Sequence, residues 1–240
     1  MPTELRTSST FCDTHLTIME QRTLPTVRVF APGFWGEVDR FANYYHESYA
    51  FPDRDKRAVS GGTAHLEKAI TLQALAVKLR PGLDIDRDQL NKNGFTRAAN
   101  SRELSTVIEA AVLELYSSVD CTVKVLHAVY GKSSRSFPGS TRKLFHNIDK
   151  VTGDFPAELK DAIRTARWYN GLLYWRDELT HLTTGQCSLD HNKGAVNYLH
   201  MGMRQNGNAY VIDDVFAWLD EAIEKINAFS GIVFRLLNST

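Results

Sequence analysis

The chain has 240 residues, of which 43% are hydrophobic and 23% are charged. This length suits one medium domain, or one domain with a smaller appendage, and the composition is that of a globular protein rather than a disordered or fibrous one. Because 28 Lys and Arg residues balance 28 Asp and Glu residues, the charge argues against a histone-like or coat-like nucleic-acid binder but leaves room for a local basic pocket.

The first hundred residues predict an N-terminal helical region, residues 1–100, of unknown role. Residues 37–51 and 63–80 look helical, the second through apolar side chains at helical spacing. Pro81-Gly82 is expected to end that second helix.

Two polar stretches in this region, residues 53–62 and 81–100, are predicted to be loops. The second loop is the predicted boundary with a C-terminal helical domain, residues 101–240.

The middle of the chain carries the strongest periodic signal. From Ser101 to Tyr130, apolar residues recur at intervals of three and four, which predicts one helix of about 28 residues with a single buried face. Gly131 stands where a C′ residue would terminate it.

Two further helices are predicted after it, with a β-hairpin between them. Residues 156–182 form the first, and Asn170-Gly171 in its middle predicts a bend or break. Asp213-Asp214 opens the second, which runs to Leu237. The turn dipeptide Asn206-Gly207 predicts a hairpin at about 196–212. The predicted fold class is therefore mainly α: an antiparallel helical bundle with a short β-hairpin insertion.

Membrane, export and metal signals are weak throughout the sequence. No stretch approaches the roughly 20 apolar residues of a spanning helix, and the first residues lack the apolar run of a signal peptide. Cys12, Cys121 and Cys187 form no C-x-x-C pair, and no His-Glu-x-x-His motif occurs. We therefore expect a cytoplasmic protein without membrane association, metal or cofactor.

One short motif carries chemistry, Arg176-Asp177-Glu178-Leu179-Thr180-His181 on the helix before the hairpin. With the long helix before it and the amphipathic helix after it, this stretch resembles the HEPN family of all-helical domains, named for higher eukaryotes and prokaryotes nucleotide-binding. The signature of that family is Arg, a polar residue directly after it, and His after a gap of four to six residues. The resemblance covers residues 101–240.

The resemblance implies a function and a set of partners. Many members of the family are metal-independent endoribonucleases in which Arg and His form a composite site across a two-fold dimer. Here it implies cleavage of single-stranded RNA by 2′-hydroxyl attack, with Arg176 and His181 catalytic and Asp177 supporting. It also implies a homodimer and allows for an antitoxin-like protein partner. The alternative is a non-catalytic interaction or nucleic-acid-binding module of the same architecture.

The chemistry and the helix geometry are compatible with this function. Cleavage needs an acid–base group that titrates near neutrality and a cation on the phosphate, and histidine and arginine supply these. At about 100° per residue, Arg176 and His181 lie about 140° apart around a helix. Either the helix ends near His181 or the site combines two protomers. Asp177 and His181 share a face, so the carboxylate could orient the imidazole. A solvated face at Arg176, Asp177 and Glu178, with His181 favouring the helix dipole, is the plain alternative.

A basic segment follows the long helix. Between Asp120 and Asp149 there is no acidic residue, and five basic residues occur, namely Lys124, Lys132, Arg135, Arg142 and Lys143. The loop from Lys132 to Lys143 is predicted to hold an RNA backbone. Two other interpretations remain: a soluble mobile loop, and pairing with the acidic stretch from Asp213 to Glu224.

Apolar helix surface predicts assembly. The apolar faces of the helices from Ser101 and Asp213, together with the aromatic cluster Trp168–Trp175, exceed what one small bundle buries. We therefore expect a dimer interface that includes the helix bearing Arg176.

Overall fold

The computed structural model describes residues 35–205 and 208–239, with the backbone alone for Trp35, Arg135 and residues 201–209. These ranges are mainly helical with a small antiparallel sheet, as the sequence predicts. The elements in chain order are α1 (Trp35–Ser48), α2 (Asp53–Leu79), α3 (Gly82–Asn93), α4 (Ala99–Tyr130), β1 (Ser134–Arg135), α5 (Thr141–Asn147), a 3₁₀ turn (Ile148–Lys150), β2 (Thr152–Gly153), α6 (Ala157–Thr165), α7 (Trp168–His181), β3 (Gly185–Asp190), β4 (Ala195–Gln205), β5 (Asn208–Ile212) and α8 (Val215–Leu237).

Helix α4 packs against most of the other helices of the described residues and confirms the long helix predicted from Ser101. Its apolar face is fully buried, including Leu104, Ile108 and Leu115. Gly131 caps the helix with φ −62° and donates its N–H to the His127 carbonyl. The helix therefore ends without the left-handed residue that a C′ glycine usually supplies.

Helix α2 begins ten residues earlier than the sequence predicts, because residues 53–62 are helical rather than a loop. Ala58, Val59 and Gly62 are buried. The Ser118 hydroxyl on α4 donates to the Gly62 carbonyl at 2.7 Å, a contact between α2 and α4 at small residues. Small residues allow two helices to pack closely. In a sequence, however, glycines are usually interpreted as residues that interrupt a helix.

The second predicted loop contains helix α3. Its residue Asp86 is buried, and the carboxylate accepts hydrogen bonds from the Asn100 side chain and the Ser101 N–H, both at 2.8 Å. An acceptor at a helix N-terminus satisfies an otherwise unpaired backbone N–H, so α3 positions the start of α4. Helices on both sides of residue 100 share a core, and the described residues belong to a single compact unit.

The helix predicted at 156–182 is divided, but not at Asn170-Gly171. Helix α6 ends at Thr165, and Ala166 has φ −74° and ψ 59°, which is not helical. Asn170 and Gly171 lie inside α7, where Gly171 is exposed with no other atom near its missing side chain. An exposed glycine is tolerated within a helix at a modest cost, so the dipeptide does not decide where the chain breaks.

The small sheet has the strand order β3-β4-β5, and both pairings are antiparallel. Strands β4 and β5 confirm the predicted hairpin, whose turn residues Asn206-Gly207 lie outside the described residues. Strand β3 was not predicted. It is fastened to α4 through Cys187, whose N–H donates to the Ser105 hydroxyl at 2.8 Å and whose carbonyl accepts from Ser101 at 2.5 Å.

Helix α8 closes the bundle and confirms the predicted start at Asp213-Asp214. The Asp214 carboxylate accepts from the backbone N–H groups of Phe216 and Ala217, a standard N-cap arrangement. Leu219 and Ile226 on its inner face are fully buried. Within the described ranges, no helix combines the length and apolar character that crossing a bilayer requires.

Candidate functional site

Arg176 lies on α7 with its guanidinium over the ring of Tyr116 on α4, 4.6 Å from the ring centroid. Its Nη1 donates to Asp177 Oδ1 at 2.7 Å, and the side chain retains 31% exposure. Burial alone would lower the pKa of Arg176, but the bond to Asp177 raises it above its ordinary value. The cation is therefore held by an aromatic face and a carboxylate while part of it remains open to solvent.

Asp177 joins two guanidinium groups. Its second oxygen, Oδ2, accepts from Arg142 Nη1 on α5 at 3.2 Å. Tertiary structure thus brings Arg142 beside Arg176. This proximity was not predicted, because the two residues are 34 positions apart in the sequence. The three side chains carry a formal charge of +1, because one carboxylate is shared by two cations.

His181 is the last residue of α7 and is exposed. Its imidazole has no hydrogen-bond partner among the residues that the structure describes, and the suggested bond to Asp177 is not formed. Tyr174, seven positions earlier and therefore on the same side of the helix, is 50% exposed, and the next residue, Leu182, is 75% exposed. One chain therefore presents His181 on an open, partly apolar surface away from Arg176.

The remaining basic residues do not gather into one loop. Arg142 and Lys143 lie on α5, where Ser140 caps the helix by accepting from the Lys143 N–H. Lys124 pairs with Asp120 at 2.7 Å, and the exposed Lys132 has no ion pair within the described ranges. The side chain of Arg135 lies outside the described residues. The ion pairs of Lys124 and Arg142 are made with Asp120 and Asp177, not with the acidic stretch 213–224.

Glu178 does not lie on a solvated face, as the plain alternative assumes, because its side chain is buried at 8% exposure.

The apolar surface expected to drive dimerisation is largely buried within the chain itself. Tyr169, Leu172 and Trp175 on α7 are buried against the core that α2, α4, α8 and the sheet build. The large apolar side chains that stay exposed here are Tyr174 and, directly after the end of α7, Leu182.

A stripe on α4 links these features and was missed from the sequence. Tyr116, Asp120, Lys124 and His127 follow each other at intervals of four, four and three, which places them on one side of the helix. The ring of Tyr116 contacts the guanidinium of Arg176, and the other three residues line a cleft of about 470 Å³. The spacing of these four residues was visible in the sequence. The stronger apolar period on the opposite side of α4 was interpreted instead, as the buried face of the helix.

No grouping of three or more His, Cys, Asp or Glu side chains suited to a metal ion occurs in residues 35–205 and 208–239. Comparisons of the chain with known protein families, with curated proteins and with solved structures found no match.

Proposed function

We propose that this chain is a metal-independent endoribonuclease that acts on single-stranded RNA, with Arg176 and His181 as its catalytic residues. The observation that carries the proposal is the placement of Arg176, half-buried on Tyr116 and braced by Asp177. A guanidinium held in this way loses little entropy when it binds a phosphate oxygen. The second requirement, an imidazole with unoccupied nitrogens, is met by the exposed His181.

The chemistry needs these two residues, the RNA and a proton donor for the leaving oxygen. The 2′-oxygen attacks the adjacent phosphorus and the bond to the 5′-oxygen breaks, which leaves a cyclic phosphate and a free 5′-hydroxyl. His181 accepts the 2′-hydroxyl proton, and Arg176 stabilises the negative charge that accumulates on the phosphate oxygens. The leaving 5′-oxygen takes a proton from water or from a second histidine.

The site requires two copies of the chain. Arg176 and His181 lie about 140° apart around α7, and no residue that the structure describes bonds to both side chains. The proposed arrangement is a two-fold dimer in which His181 of one protomer lies opposite Arg176 of the other.

A second candidate function is a non-catalytic RNA-binding or interaction module. The observation that favours it is the sharing of Asp177 between Arg176 and Arg142, since a carboxylate beside both cations competes with a phosphate. A binding module tolerates this competition, whereas a catalyst needs the phosphate to displace the Asp177 carboxylate from Arg176.

The test is incubation of purified protein with labelled single-stranded RNA, with and without a chelator. We expect cleavage in both, and a loss of at least about 100-fold for Arg176→Ala and for His181→Ala. Arg167→Ala and His146→Ala are matched controls, because both residues are exposed and lie on α5 or at the start of α7. Cleavage that the chelator abolishes refutes the metal-free mechanism, and binding without cleavage favours the module.

Mixing the two inactive variants tests the composite site. If Arg comes from one protomer and His from the other, each mixed dimer holds one intact site, and random pairing restores about a quarter of the original activity. If both residues act within one chain, mixing restores nothing.

A further inference from the structure

A cleft separate from Arg176 and His181 lies at the far end of the α4 stripe from Tyr116. It lies between the first turn of α2, the C-terminal half of α4 and the segment that enters α5. Its volume of about 470 Å³ falls in the range of roughly 300–1,000 Å³ that is typical of small-molecule sites. The side chains that define its chemistry are Arg54, Asp55, Asp120, Lys124 and His127.

Arg54 is the first reason to assign the cleft to an anion. It is exposed in the first turn of α2 and makes no ion pair with any described residue. A cation in the first turn of a helix faces the positive end of the helix dipole, which is unfavourable. Lys124 lies close enough for the two like charges to interact. Two cations brought together in this way are stabilised by a bound anion.

Lys124 and His127 are held in place on the other wall. The carboxylate of Asp120 raises the pKa of Lys124 and bonds to its ammonium at 2.7 Å, and the same carboxylate accepts from the Thr141 hydroxyl at 2.5 Å. The His127 ring meets Phe137 edge-on, with 5.6 Å between centroids. A Cβ at Gly131 would lie 3.3 Å from that ring, so glycine leaves the imidazole room at this position.

The cleft contains both acidic and basic side chains, and this restricts the classes of ligand that it can bind. Asp120 is occupied by Lys124 and Thr141, whereas the Asp55 carboxylate has no side-chain partner within the described ranges. A bare anion would be repelled by Asp55, but a ligand with a phosphate at one end and hydroxyl donors at the other suits both groups. Val123, Pro52 and Pro138 add apolar lining.

We propose that this cleft binds the phosphate and ribose of a nucleotide, with Arg54, Lys124 and His127 on the phosphate and Asp55 accepting from ribose hydroxyls. The proposal goes beyond the ribonuclease function, because it requires binding and no cleavage. The nucleotide is either a free mononucleotide or part of an RNA strand. The α4 stripe that runs from Tyr116 to His127 spans about 16 Å and connects the cleft to Arg176.

The experiment is isothermal titration calorimetry of the full chain with AMP and with adenosine. We expect AMP to bind at least about tenfold more tightly than adenosine, and Arg54→Gln and His127→Gln each to weaken AMP by at least about tenfold. Arg57→Gln is the matched control, since Arg57 is an exposed arginine one turn further along α2 and outside the cleft. Thermal unfolding should show Arg54→Gln at least as stable as the original protein, which separates lost binding from lost fold.

The second arm uses one short RNA with a 5′-phosphate or a 5′-hydroxyl, titrated into His181→Ala so that no cleavage occurs. Arg54-dependent binding of AMP and of the 5′-phosphate RNA alone identifies a phosphate monoester as the ligand. Equal, Arg54-dependent binding of both RNAs without AMP binding identifies a phosphodiester of the strand. Three results would overturn the proposal. AMP and adenosine could bind with equal affinity, Arg54→Gln and Arg57→Gln could change the binding of all probes alike, or no probe could bind. Because cleavage is not read here, failure of the ribonuclease function leaves these results intact.

Discussion

Protonation of His200 should destabilise the fold in mild acid. His200, on β4, is 3% exposed and is surrounded by the rings of Trp175, Tyr198 and Tyr210, at centroid distances of 4.7 to 5.0 Å. Its Nε2 has no hydrogen-bond partner in the described structure. Burial lowers the pKa of His200 to about 4, because no neighbouring group compensates a charge there.

The sign and size follow from linkage. Between the unfolded pKa of about 6.5 and the folded pKa of about 4, the unfolded chain binds more protons, so stability falls as pH falls through this window. The full difference corresponds to about 3 kcal/mol, of which about 2.5 kcal/mol should be lost between pH 7.5 and pH 4.5. Burial raises the pKa of the neighbouring Tyr198, so its phenol stays neutral throughout this window.

Urea unfolding at pH 7.5 and pH 4.5 measures the effect by comparison with His200→Phe, which keeps an aromatic ring and removes the titrating group. The original protein should lose about 2.5 kcal/mol more than the variant between the two pH values. His46→Phe is the control, because His46 is exposed and its replacement should leave the pH dependence unchanged. Equal losses in the original protein and in His200→Phe would refute the assignment of the buried imidazole as the sensitive group.

Three further predictions concern the attachment of the sheet to α4. Tyr198→Phe removes the hydroxyl that donates to Glu109 Oε1 at 2.6 Å and should cost about 1.5 to 3 kcal/mol in denaturant unfolding; the same change at the exposed Tyr174 should cost little. Gly185→Ala would place a methyl group within 2.3 to 2.5 Å of the Tyr198 phenol and should cost about 1 to 3 kcal/mol through overpacking; an unchanged unfolding midpoint would contradict this packing. Burial raises the pKa of Cys187 to about 12, so iodoacetamide at pH 8 should leave Cys187 unlabelled in the folded protein and label it after unfolding, as read by peptide mass mapping.

The sequence by itself determined the helices that have one apolar side. Helices α4 and α8 bury a continuous stripe against the core, so their residues repeat at the helical period and the pattern is visible without any tertiary information. The hairpin strands β4 and β5 were visible for a similar local reason, since a turn dipeptide stands between two apolar runs. Arg176 and Asp177 were also singled out from the sequence as adjacent residues of one motif, but their bond to each other was not predicted.

Tertiary structure alone decided the features that depend on partners far apart in the chain. Residues 53–62 are helical because small residues such as Gly62 allow α4 to approach closely, and small or charged residues carry no periodic apolar signal of their own. Strand β3 pairs with β4, and Cys187 bonds it to Ser101 and Ser105 of α4, 82 to 86 residues away. Asp177 is likewise turned toward Arg142, 35 residues away, rather than toward His181 on its own helix. A hydrogen bond between distant elements has no local pattern, since its energy depends on where the whole fold places donor and acceptor.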